Sequence, residues 1–107
     1  MKRKRLLISV LIISFLFIFY GCVGVGKNFK SDKVKDIKIG ITTAEELRDW
    51  FGPPDKKGID NGDNSWTYFY EKWSLFGGTQ SKELYVVFDK NWKVKSFTFS
   101  SNLPEDQ

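Results

Sequence analysis

The sequence predicts a small α+β domain: one short helix packed on a three-stranded antiparallel sheet meander, with room for a second brief turn of helix. Three observations predict it. A capping pattern opens a short amphipathic stretch that stops at Gly52-Pro53-Pro54. Three runs rich in β-branched and aromatic residues follow it. The links between those runs are short, which favours antiparallel pairing of neighbours and a helix on one sheet face.

In chain order, the first element is not part of that domain. "MKRKR" carries four positive charges, and residues 6–20 carry none. A basic n-region followed by an apolar h-region and a small residue is the layout of an export signal. Gly21 then precedes Cys22, the one cysteine of the chain. "FYGC" resembles a lipobox, although Phe19 and Tyr20 are bulkier than is usual there. The expectation is a lipoprotein signal peptide over residues 1–21 and attachment of a diacylglycerol, with palmitate-type chains, at Cys22. The uncharged run continues to Gly26, 21 residues in all. About 20 suffice to cross a bilayer, so an uncleaved signal anchor is the alternative. Both readings keep the basic end inside and export the rest. The expected location is a lipid-anchored envelope protein, on the outer membrane facing the periplasm.

Residues 22–33 read as a lipid-anchored tether. The stretch 23–36 is glycine-, lysine- and polar-rich, and extended it would reach ~45 Å. The folded domain is expected over residues 34–102, with a polar tail over 103–107.

Within the domain, Thr43 and Glu46 fit a capping box, with Thr42 and Glu45 as the other register. Leu47, Trp50 and Phe51 fall on one helical face. Gly52 supplies the stop, and the two prolines prevent continuation. Residues 55–64 are turn chemistry, with space for a short second helical turn. Strands are expected over 65–73, 82–89 and 93–100. Trp66, Tyr68 and Tyr70 share one face of the first strand, and Phe69 and Trp73 the other. Strict alternation in the last strand sets Phe97 and Phe99 opposite Val94. A one-residue slip would exchange the faces, and the register stays open.

The blocks "IKIGITTAEELRDWFGPPD", "NSWTYFY" and "LYVVFDKNWKVKSF" resemble the SmpA/OmlA (BamE-like) family of outer-membrane lipoproteins. Gly40, Thr42, Thr43, Leu47, Phe51, Gly52, Pro54, Trp66, Tyr68, Phe88 and Val94 stand at the family's pattern positions, over about residues 34–99. Two features depart from it. Trp92 stands where the family's hairpin usually has glycine, and one clear helix precedes the sheet where two are usual. The resemblance implies a role in outer-membrane protein assembly or envelope integrity, with the β-barrel assembly machine as the kind of partner.

Composition narrows the chemistry. The chain has no histidine, and its cysteine is the anchor candidate. That removes histidine acid–base chemistry, Cys–His nucleophiles and most zinc sites. Asp49, Asp55, Asp60 and Asp63 flank turn residues and read as solvated carboxylates. "DNGDN" lacks the ligand spacing of a calcium loop. No catalytic residue, metal or cofactor is expected. The formal charge of +4 comes from residues 2–5, because the rest holds 13 Lys+Arg and 13 Asp+Glu. A neutral mature chain gives no electrostatic footprint for nucleic acid.

The aromatic residues are the remaining signal. Most of the 14 after Cys22 are expected in the core. Leu75 and Phe76 lie in a loop beside Gly77-Gly78 and, with Trp73, are the candidate partner-binding residues, as an exposed apolar knob. The alternative folds Phe76 back over the helix end. The expected function is a non-catalytic, membrane-tethered scaffold or accessory subunit that binds an envelope protein. The alternative is a stand-alone exported binding or inhibitor-like module for an envelope enzyme, lipid or wall component.

Overall fold

The computed structural model describes residues 23–107. The expected signal peptide and Cys22 lie outside those residues. The fold is α+β, built on one antiparallel sheet. Its strands are β1 (Val23–Gly26), β2 (Lys56–Asp60), β3 (Asp63–Ser74), β4 (Gly78–Phe88) and β5 (Val94–Ser101). The order across the sheet is β1-β3-β4-β5, and β2 shares with β1 the outer side of β3. The expected meander is therefore present as β3-β4-β5, and two short strands widen it.

Helix α1 (Ala44–Phe51) forms where the capping box predicts it. The Thr43 hydroxyl accepts from the Glu46 amide at 3.2 Å, and the Glu46 carboxylate accepts from the Thr43 amide at 3.3 Å. The Thr42 register is not used for capping. Thr42 is buried, and its hydroxyl accepts from the Lys38 amide at 2.8 Å, closing the turn before the helix. At the other end the Gly52 amide donates to the Arg48 carbonyl. Ala44, Leu47 and Phe51 supply the buried face of α1.

The second brief helical element is not in residues 55–64. There the chain runs as β2, turns at Asn61-Gly62 and returns as β3. Both turn residues have positive φ, 51° and 87°, the geometry an Asn-Gly hairpin needs. The extra helix is instead a 3-10 segment, Ser31–Asp36, ahead of α1. Phe29, Val34 and Ile37 around it are buried in the same core as Leu47, Phe51, Tyr68, Leu84 and Phe88. The Phe29 ring packs on Phe51, Tyr68 and Phe99 at centroid distances of 5.9, 6.0 and 6.4 Å. Residues 23–36 thus differ from the expected tether. Four of them form a strand, and Phe29 and Val34 are core.

The register of β5 departs from strict alternation. Val87 faces Ser96, but Phe88 faces Val94, so Lys95 is an extra residue and β5 bulges there. The bulge turns Val94 to the side of Phe97 and Phe99, against Phe88, Val86 and Leu84. The expected opposition of Val94 to the two phenylalanines is corrected by that one residue. The polar tail is partly packed: Leu103 is buried, and Pro104–Asp106 form a 3-10 turn.

Candidate functional site

No three His, Cys, Asp or Glu side chains come together among the described residues. The four aspartates singled out from sequence go to separate tasks. Asp55 accepts from the Phe69 amide at 2.9 Å, and its own amide donates to the Thr67 carbonyl. It bridges the gap between β1 and β2 along the side of β3. Asp60 accepts from the Tyr85 hydroxyl at 2.6 Å, and Asp63 pairs with Lys95 at 2.8 Å. Asp49 is exposed on α1. Asp55, Asp60 and Asp63 thus hold strands together, and no metal-holding cluster forms among the described residues.

The hairpin tip between β3 and β4 is the most exposed apolar feature of the sheet. Trp73, Leu75 and Phe76 are 49, 67 and 98 % exposed. Phe76 therefore does not fold back over the helix. The tip is built, not slack: the ladder runs to Ser74 opposite Gly78, and the Ser74 hydroxyl accepts from the Gly77 amide at 2.9 Å. Residues 73–81 carry no charge.

Strand β1 lies beside this tip. Val23 pairs with Trp73 and Gly26 with Tyr70. The pairing depends on Gly26, which has φ 79° and whose missing Cβ would lie 2.1 Å from the Phe69 carbonyl oxygen. Sequence reasoning took this glycine as a mark of flexibility. Its real signal is close backbone approach.

Lys82 fastens the chain just after β1. Its side chain crosses the ring of Phe29 at 4.4 Å, donates to the Phe29 carbonyl and donates to the Ser31 hydroxyl at 2.8 Å. Burial lowers its pKa below the usual lysine value, opposed by the nearby charges of Asp106, Glu105 and Asp32. No pattern in the sequence marked this residue, because its partners lie about fifty positions away.

Other exposed apolar residues lie toward the other end of the sheet: Ile39, Ile41, Ile59 and Trp92. The Gly40 amide donates to Val94, and the Ala44 amide to Trp92, which brings the turn before α1 onto the β4–β5 loop. Trp92 packs on Phe88 at 5.6 Å and Trp66 at 6.2 Å. Arg48 and Lys57 both lie 5.7 Å from the Trp66 ring. The outer sheet face holds an open groove of about 550 Å³ lined by Thr67, Phe69, Ser81 and Ser100 among others.

Residues 26–98 match the family model described as the outer membrane protein assembly factor BamE domain. No curated protein matches the chain.

Proposed function

We propose that this chain, which belongs to the BamE domain family, works as a non-catalytic scaffold or accessory subunit in outer-membrane protein assembly. The family match over residues 26–98 carries the reading. The dispersal of the aspartates into strand contacts supports a binding role over a catalytic one. In this reading the signal peptide directs export, and acyl chains on Cys22 hold the domain at the membrane, since one chain alone anchors only marginally. Trp73, Leu75 and Phe76 are the docking element of the domain. The group at Ile39, Ile41, Ile59 and Trp92 is a second contact surface. The partner is an envelope protein of the β-barrel assembly machine.

The test is a cross-linked pull-down of the full-length protein from its native envelope, with mass spectrometry of what is captured. Enrichment of β-barrel assembly components is the expected outcome. Their absence, with another envelope enzyme or wall component captured instead, replaces the assembly role with that of an exported binding module.

A further inference from the structure

We propose that the β3–β4 hairpin tip dips into the lipid bilayer beside the attachment point, so that the domain stands on the membrane at two adjoining places. The occupant of the tip is the bilayer surface. This deepens the docking role given above and rests on the lipoprotein reading of Cys22.

Register carries the argument. Val23 is paired with Trp73, and β1 runs antiparallel to β3. The chain before Val23 therefore leaves from the tip end of the sheet. In sequence Cys22 is bonded directly to Val23, the strand partner of Trp73. A lipid on that cysteine would hold the base of the hairpin near the membrane surface, and insertion then depends on the apolar side chains of the tip itself. The strand ends at Ser74 and residues 75–77 turn, so Leu75 and Phe76 stand at the outermost point of the hairpin. Interfacial side chains settle at a depth of ~5–10 Å.

The chemistry of the tip fits that depth. Leu75 and Phe76 are apolar and exposed, Phe76 almost wholly. Trp73 stands behind them, and tryptophan favours the headgroup level. The backbone is paired as far as Ser74–Gly78 and the Gly77 amide is held by the Ser74 hydroxyl, which limits the number of open backbone groups at the tip. The uncharged residues 73–81 on one side and 23–26 on the other keep charge away from the hydrocarbon. The first charged groups behind the tip are Lys72 and Glu71. With the tip in lipid, the Ile39, Ile41 and Trp92 end points away from the membrane and meets the protein partner.

The experiment uses the full-length chain in vesicles of phosphatidylethanolamine and phosphatidylglycerol, with and without bromine on the acyl chains. Bromine quenches tryptophan only where the two approach closely. Part of the tryptophan emission should be quenched, and Trp73→Phe should remove that part while Trp92→Phe leaves it. Phe76→Asp should lose the quenching with an unchanged melting temperature. For a chain lacking its acyl groups, that variant should bind vesicles roughly tenfold more weakly or worse, from the area a phenylalanine removes from water. The intact mass of the same preparation reports separately whether Cys22 is acylated. An acylated chain whose Trp73 is not quenched overturns the tip insertion and returns the tip to a protein partner. An unacylated chain refutes the lipoprotein reading, and quenching at Trp73 then decides the insertion by itself.

Discussion

Tyr68 couples the middle of the sheet to the end of the helix through one hydrogen bond. Its hydroxyl donates to the Gly52 carbonyl at 2.9 Å. Burial is the main cause that pushes its pKa from 10.0 up to about 12, with Arg48 opposing and Asp55 adding. A folded-state pKa above the unfolded one means stability that is whole below pH 10.0 and lost as pH rises toward about 12. Tyr68→Phe should flatten that alkaline loss and cost about 1 kcal/mol at neutral pH. Denaturant titrations at neutral and alkaline pH measure both. Lys82 has the opposite sign. Its lowered pKa makes the buried charge a cost below the folded value, relieved as pH climbs toward 10.5. Lys82→Met should remove this rise and, by leaving the Phe29 carbonyl without its donor, destabilise the fold by about 1–3 kcal/mol.

Trp92 belongs to the same scale. It adopts φ 59°, a left-handed conformation that costs a bulky residue roughly 1–2 kcal/mol. Its ring repays part of this by packing on Phe88 and Trp66. Trp92→Gly and Trp92→Ala lose the same contacts, but only glycine relieves the backbone. The glycine variant should therefore be about 1 kcal/mol the more stable of the two in thermal unfolding.

Among the elements, local rules were legible and non-local ones were not. The capping box, the Gly52 stop and the β3-β4-β5 meander follow from neighbours in sequence, and each stands within a few residues of expectation. Residues 55–64 read as turn chemistry with space for a helical turn, and the β2–β3 hairpin at Asn61-Gly62 was missed, because the polar residues of β2 concealed a strand that is exposed along most of its length. The bulge at Lys95 was not legible, because alternation alone cannot show an inserted residue. Strand β1 was hidden by its glycines, and Phe29 by its polar neighbours. The exposed knob was legible as an uncharged aromatic loop beside two glycines. Its proximity to the N-terminal strand was not, because that is a register across the sheet. Gly26→Ala should unpair β1, since the new Cβ has no room beside Phe69. Amide exchange at Val23–Gly26 should then quicken, while Leu84 and Val86 in the central strand stay protected. Asp55→Ala should cost about 0.5–1.5 kcal/mol, the net worth of a hydrogen bond whose Phe69 amide water can reach. Urea unfolding checks it.

Over the whole molecule, the sheet sets two ends apart. Strand β4 runs 11 residues from the tip to Phe88, roughly 35 Å at strand rise. One end gathers uncharged residues and the N-terminal strand. The other gathers the α1 cap, the bulge, the Asn-Gly hairpin and the exposed isoleucines. Replacing Ile39 and Ile41 together with Ser should reduce capture of assembly components in the pull-down and leave vesicle quenching at Trp73 unchanged. The two side chains are 61 and 66 % exposed, so the melting temperature should barely move.

The pairing of β1 with β3 also bears on the entropy of association. A domain on a loose leash samples many tilts, and a partner that selects one of them bears the whole cost of ordering it. Here the first described residue is already in the sheet. On the proposed acylation of Cys22 and insertion of the tip, height and tilt would be set before any encounter. What remains is a lateral search in the plane of the membrane, and a smaller orientational loss at contact strengthens binding without adding a single new interaction.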